Sequence, residues 1–75
     1  HGVVRDPKVH EDVIKEIIAF VLGTGLKVKG LDFSPIKGPE GNIEYLIYLS
    51  KAEGREDLEG LYNDVAQVVE QSHKL

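Results

Sequence analysis

Residues 34–49 read "SPIKGPEGNIEYLIYL", a run of turn-forming residues that opens directly into an apolar strand. Apolar side chains occupy both faces of this strand, with Ile43, Tyr45, Ile47 and Leu49 on one and Leu46 and Tyr48 on the other. This pattern is typical of a strand covered on both sides, as in a three-layer α/β sandwich. Because two helices and two antiparallel strands cannot cover it twice, we expect part of the fold to lie outside these 75 residues.

The preceding segment, "LKVKGLDF" at residues 26–33, predicts a strand with an irregularity. Leu26 and Val28 alternate with lysines, but after Gly30 the apolar positions shift by one residue. A bulge or bend at Gly30 would produce that shift. The lysines on one face also favour an edge position, where charge discourages unwanted strand pairing.

Amphipathic helices flank the two strands. In the first, Asp6 is a suitable N-cap, Pro7 fits the first helical position and Gly23 marks the end. In the second, apolar residues recur at helical spacing and acids occupy the outer face. The sequence therefore predicts an α/β fold of α-β-β-α order, with helix 7–22, strand 26–33, strand 43–50 and helix 56–72.

Composition excludes several classes of function. The chain has no cysteine and a net charge of −4, with the acidic excess in residues 52–75, so it lacks the overall basic balance of a free-standing nucleic-acid module. No apolar run approaches the ~20 residues that cross a bilayer. Three histidines match no metal-ligand spacing, and we interpret His10 and His73 as solvated side chains on polar helix faces. We expect a soluble, cytoplasmic chain without a metal site.

Glu44 is the candidate functional residue, because it lies at the start of an otherwise apolar strand. One alternative is a rim acid that pairs with Lys27 or Lys29 on the neighbouring strand, a common and weak interaction. The other is an active-site carboxylate, which would need partners outside these residues. The loop before it contains a GxxG pattern, residues 38–41, but it joins two strands, so a hairpin turn is favoured over a KH-type RNA clamp.

Two phrases of the sequence resemble a known family. "GVVRDPKVHEDVI" followed by "GLDFSPIKGPEGNIEYLIYL" is similar to the carboxy-terminal part of hemolysin A (TlyA-type) proteins, which are FtsJ-like ribosomal RNA 2′-O-methyltransferases that use S-adenosylmethionine. The resemblance covers roughly residues 2–50, whereas residues 52–75 match no phrase of the family. It implies a Rossmann-like sheet of seven strands, with residues 26–33 as the sixth strand and residues 43–50 as the antiparallel seventh.

The resemblance also implies roles for single residues. Glu44 matches the final glutamate of the family's Lys-Asp-Lys-Glu tetrad, whose other members would lie upstream with the cofactor loop. A lysine of the tetrad helps to deprotonate or orient the ribose 2′-hydroxyl, and we expect Glu44 to position the lysine pair. Arg5 and Lys37 would flank the cleft and are candidates for contacts with RNA phosphates.

The fragment alone should bind no S-adenosylmethionine and catalyse nothing, since ribosomal RNA and the cofactor belong to the intact enzyme. Its partner would be the missing upstream part of the same domain, and without that part we expect self-association through exposed apolar faces or an unpaired strand edge. The alternative is a self-contained α-β-β-α interaction module without catalysis. A pore-forming toxin, suggested by the hemolysin name, finds no support in a membrane-spanning or strongly cationic amphipathic stretch.

Overall fold

The computed structural model describes residues 6–36, 38 and 42–74. Its elements are α1 (Pro7–Gly23), β1 (Lys27–Phe33), β2 (Tyr45–Ser50) and α2 (Leu58–Ser72). The α-β-β-α order predicted from the sequence is confirmed. The second strand and the second helix each begin two residues after the predicted position.

The two strands form an antiparallel sheet whose register contains a bulge. Val28 lies opposite Leu49 and Gly30 lies opposite Tyr48, so Lys29 is the extra residue without a cross-strand partner. A bulge of this kind inserts one residue and restores the alternation of faces beyond it. The irregularity that the sequence predicts at Gly30 is therefore present.

The ends of α1 follow from local chemistry. The Asp6 carboxylate accepts a hydrogen bond from the backbone N–H of Lys8 at 2.9 Å, and Pro7 occupies the first turn, where no amide hydrogen is needed. At the other end, the Thr24 hydroxyl donates to the carbonyl of Val21 at 2.6 Å. Gly25 then adopts a φ of 92°, a left-handed conformation that glycine reaches without strain.

The connection between β2 and α2 closes the outer edge of β1. The backbone N–H of Arg55 donates to the carbonyl of Val28 at 2.8 Å, and the N–H of Val28 donates to the carbonyl of Arg55 at 3.1 Å. Because residue 55 is held in this extended bridge, the helix begins only after it. The edge that the lysines of β1 predict is thus partly capped by the chain itself.

The side chain of Arg55 is equally constrained. Its guanidinium group donates to Asp57 through Nε at 3.0 Å and through Nη2 at 2.9 Å, and it also pairs with Asp64 on α2. The hydrogen bond from Arg55 lowers the pKa of Asp57 below its ordinary value, and the same pairing raises the pKa of Arg55. Asp57 therefore holds the loop in place and makes no side-chain cap at the start of α2.

Both helices pack against the same face of the sheet. Their shared core consists of buried residues from α1, β1 and α2: Ile14, Ile18, Val28, Leu61, Val65 and Val69. Tyr45 and Ile47 reach this core from β2, whereas Leu46 and Tyr48 point the other way and are 42% and 54% exposed. Among the described residues, nothing covers that second face, so the double coverage predicted for this strand is absent here.

A substitution at Gly54 tests how tightly the connection after β2 packs against β1. Its φ is 148°, and an added Cβ would lie 2.9 Å from the carbonyl oxygen of Val28 and 2.9 Å from the Cβ of Lys27. We predict that Gly54→Ala lowers the free energy of unfolding by about 1–3 kcal/mol, because the backbone conformation and the close contact both oppose a side chain. Denaturant unfolding measures the change.

The matched control is Gly23→Ala at the end of α1, where an added Cβ meets no atom within 4 Å. This substitution should leave stability unchanged or raise it by up to about 1 kcal/mol. Equal losses of stability in the two variants would contradict the assignment of Gly54 as a strained, tightly packed position.

Candidate functional site

Glu44 lies at the entrance of β2, where the loop between the strands ends. Its backbone carbonyl accepts a hydrogen bond from the N–H of Ser34 at 2.8 Å, which extends the ladder by one step beyond Phe33 and Tyr45. Its side chain is exposed. The carboxylate therefore stands at the end of the sheet where β1 ends and β2 begins.

The ion pairs proposed for Glu44 with lysines of β1 are not formed. Lys27 lies opposite Ser50, at the other end of the sheet, and its ammonium group pairs with Glu56 at 3.6 Å. Lys29, the bulge residue, makes no ion pair with Glu44 either, and within the described part of the chain Glu44 has no cationic partner. The pairing with Lys27 or Lys29 that the rim-acid alternative allowed is therefore absent, whereas the exposed position of Glu44 at the end of the sheet is as that alternative has it.

The loop between the strands is a hairpin connection. The N–H of Gly38 donates to the carbonyl of Asn42 at 2.8 Å, and the Ser34 hydroxyl donates to the carbonyl of Ile36 at 3.1 Å. This agrees with the turn that the proline- and glycine-rich sequence favours. Two predicted RNA-contacting residues, Lys37 in this loop and Arg5 before α1, lie outside the described residues.

A chain of hydrogen bonds that the sequence did not predict links both helices to β2. The Ser72 hydroxyl donates its proton to the carbonyl of Val69 at 2.7 Å, so it accepts from the Tyr45 hydroxyl, also at 2.7 Å. With that proton used, Tyr45 accepts from Nδ1 of His10 at 3.0 Å. The same Nδ1 lies 3.1 Å from Nε2 of His73.

This network corrects the interpretation of the histidines as solvated side chains. His10 and His73 are half-buried, and their rings approach each other with centroids 5.1 Å apart. The contact joins residues 63 positions apart, which no local pattern reveals. The one available signal was Tyr45, since a tyrosine on the inward face of an apolar strand usually needs a partner for its hydroxyl.

A depression between the helices and the strands is lined mainly by apolar side chains, together with Asp32 and Tyr45. Ligand pockets usually combine an apolar lining with a few convergent polar groups. This depression by itself does not offer the several polar groups that the charged amino-acid moiety of S-adenosylmethionine would need.

The described residues lack two further kinds of site. No group of three or more histidine, cysteine, aspartate or glutamate side chains gathers where a metal ion could bind. Neither helix has the length and apolar character that a membrane crossing requires.

Similarity to known proteins extends along nearly the whole chain. No protein-family model matches it. It is 50% identical over 74 residues to the Bacillus subtilis (strain 168) protein named "Putative rRNA methyltransferase YqxC", which covers 97% of this chain and 26% of that protein. It is 38% identical over 47 residues to "Hemolysin A" of Brachyspira hyodysenteriae, which covers 63% of this chain and 20% of that protein.

Solved structures give the same result. A putative hemolysin from Streptococcus thermophilus superposes with a TM-score of 0.79 at 41% identity, over 96% of this chain and 26% of that one. A putative hemolysin from Lactococcus lactis gives a TM-score of 0.62 at 40% identity, over 83% of this chain and 32% of that one. The predicted resemblance to hemolysin A proteins is confirmed, and the chain spans about a quarter of the length of the Bacillus relative.

A substitution of Tyr45 tests whether the hydrogen-bond chain stabilises the fold. We predict that Tyr45→Phe lowers the free energy of unfolding by about 1–2 kcal/mol, because it removes a hydroxyl that bonds to the fully buried Ser72. Tyr48→Phe is the matched control, since Tyr48 is 54% exposed on the open face, and its effect should stay within about 0.5 kcal/mol. Equal effects in denaturant unfolding would show that the network contributes nothing to stability.

Proposed function

We propose that this chain is the carboxy-terminal part of a cytoplasmic ribosomal RNA 2′-O-methyltransferase of the hemolysin A type, which uses S-adenosylmethionine. The observation that carries the proposal is the similarity, along nearly the full chain, to the Bacillus protein named as an rRNA methyltransferase. We expect the fragment by itself to be inactive, because the cofactor loop and the remaining catalytic groups of the family would lie upstream.

The shape of the sheet supports this proposal. The outer edge of β1 is closed at Val28 by Arg55, whereas the outer edge of β2 has no partner strand among the described residues. The open face of β2 carries Leu46 and Tyr48, which favour contact with further apolar surface. These features suit an antiparallel seventh strand placed between the fifth and sixth strands of a Rossmann-like sheet.

The position of Glu44 supports a role in the active site. In open α/β sheets, ligands bind outside the carboxyl ends of the parallel strands, and β1 ends where Glu44 lies. Its carboxylate is exposed and makes no ion pair with the described residues. Such a group can balance the charge of a lysine pair supplied by other strands and fix its geometry, which a lysine acting on a ribose hydroxyl requires.

The RNA-contacting roles proposed for Arg5 and Lys37 rest on their charge and on their positions in the sequence. Arg5 comes just before α1, and Lys37 belongs to the segment between β1 and β2. Contacts of this kind go to phosphate oxygens and weaken as salt concentration rises. Base-specific recognition would come from elsewhere in the intact enzyme.

A non-catalytic interaction module is the second candidate, and one observation favours it. Exposed apolar side chains form a stripe along α1 at helical spacing: Val9, Val13, Ile17 and Phe20. Together with the open face of β2, this stripe gives the isolated chain two exposed apolar surfaces. We therefore expect the isolated chain to self-associate. In the intact enzyme the same surfaces would contact the upstream part of the domain.

Glu44→Gln in the intact protein tests the proposed chemistry. We predict that the rate of 2′-O-methylation of ribosomal RNA falls by at least about tenfold, or about 1.4 kcal/mol in the activation barrier, because the neutral amide no longer balances the lysines. Incorporation of labelled methyl groups into ribosomal RNA measures the rate, and a thermal melt shows that the variant remains folded.

Glu53→Gln is the matched control, since Glu53 is also an exposed acid but follows the far end of β2. It should retain the parent rate. If Glu44→Gln retains it as well, Glu44 has no part in the mechanism. If the parent protein methylates no ribosomal RNA under any condition, the interaction module becomes the better explanation.

A further inference from the structure

Ser34 follows directly after β1 and lies opposite Glu44 at the end of the sheet. Its backbone N–H donates to the Glu44 carbonyl at 2.8 Å, one step beyond the pair formed by Phe33 and Tyr45. Residues that lie opposite each other in an antiparallel pair carry their side chains on the same face, with Cβ atoms roughly 4.5–5.5 Å apart. The Ser34 hydroxyl is therefore the cross-strand neighbour of the Glu44 carboxylate.

The Ser34 side chain binds the backbone of Ile36 in two ways. Its hydroxyl donates to the Ile36 carbonyl at 3.1 Å, and its oxygen accepts from the Ile36 N–H at 3.3 Å. Serine forms local turns of this kind, in which the side chain replaces a backbone partner. Further along the chain, the N–H of Gly38 donates to the Asn42 carbonyl at 2.8 Å. Of these contacts in the described part of the connection, those of Ser34 are the ones that adjoin the sheet.

The bonds to Ile36 also determine which groups can reach Glu44. A hydroxyl has a single proton, and because that of Ser34 goes to the Ile36 carbonyl, it is not donated to the Glu44 carboxylate. The Glu44 side chain is exposed and makes no ion pair within the described part of the chain. Its oxygens can therefore accept hydrogen bonds from cationic groups that other strands supply.

We propose that Ser34 is a positioning residue of the active site. Its hydroxyl fixes the start of the connection after β1 and its N–H holds the backbone of Glu44, so the carboxylate stays where the lysine pair can reach it. This inference rests on the proposed function, because Ser34 acts through Glu44 and touches neither RNA nor cofactor. Such positioning matters, since misplacing a catalytic group by about 1 Å can lower a rate by about a hundredfold.

Ser50 provides a matched control at the opposite end of the sheet. Its hydroxyl oxygen accepts from the N–H of Ala52 at 3.1 Å and from the N–H of Glu53 at 3.2 Å. Both serines are half-buried and bond to the backbone that follows them, so loss of either hydroxyl should lower the free energy of unfolding by a similar amount. Because Ser50 is remote from Glu44, a comparison of the two separates positioning from stability.

Steady-state kinetics of Ser34→Ala, Ser34→Thr and Ser50→Ala in the intact protein test the assignment. We expect Ser34→Ala to lower the kcat of ribosomal RNA methylation by at least about fivefold and to leave the KM for S-adenosylmethionine unchanged. Ser34→Thr keeps the hydroxyl and should retain most of the kcat, whereas Ser50→Ala should equal the parent. A parental kcat in Ser34→Ala, equal losses in both alanine variants, or no rescue by threonine would overturn the proposal. The proposed function would survive each of these results, since Glu44→Gln tests it separately.

Nuclear magnetic resonance of the same variants gives a second readout that needs no activity. In Ser34→Ala the Ile36 amide should exchange its hydrogen at least about threefold faster than in the parent, because its acceptor is gone. The carbon-13 shift of the Glu44 carboxyl group should change in the same variant, and Ser50→Ala should alter neither quantity. If exchange and shift are both unchanged in Ser34→Ala, the positioning role is refuted. If the parent methylates no ribosomal RNA, the proposed function fails and this role with it.

Discussion

One constraint shapes the molecule: two helices cover a single face of a two-stranded sheet whose second strand is apolar on both faces. The helices bury Val28, Leu61 and Val65 to 1% exposure or less. Leu46 and Tyr48 have no such cover among the described residues. Removing apolar surface from water is the main driving force of folding, so a face left open in this way favours further contact.

The two ends of the sheet differ in how their charged side chains are paired among the described residues. At one end Lys27 faces Glu56, and Arg55 bonds to the backbone of Val28 and to the carboxylates of the following turn. These ion pairs hold the connection between β2 and α2 in place. At the other end, Glu44 is exposed and has no such partner in the described residues. Under the proposed function, this is the end at which an open α/β sheet would bind its ligands.

Periodicity was sufficient to predict the four elements and their order, since both helices and both strands carry regular apolar patterns. The shift of alternation around Gly30 also revealed the bulge. The start of α2 could not be predicted in the same way, because it depends on the bridge between Arg55 and Val28, a pairing between residues 27 positions apart. Asp57 looked like part of the helix from sequence alone, but its carboxylate binds Arg55.

The candidate site was only partly accessible from sequence. Glu44 stood out because an acid interrupts an apolar strand, and the resemblance to hemolysin A proteins gave it a role. The cluster of His10, Tyr45, Ser72 and His73 was missed, since tertiary packing alone brings these residues together. Lys37 and Arg5 lie outside the described residues, so their roles stay predictions.

The central claim is that β2 belongs to a larger sheet, and amide hydrogen exchange in the intact protein tests it most directly. A strand paired on one edge shows alternating slow and fast amides, whereas a strand paired on both edges is protected at every position. We predict continuous protection from Tyr45 to Ser50. Alternating protection, with every second amide exchanging at the rate of an exposed loop, would contradict it.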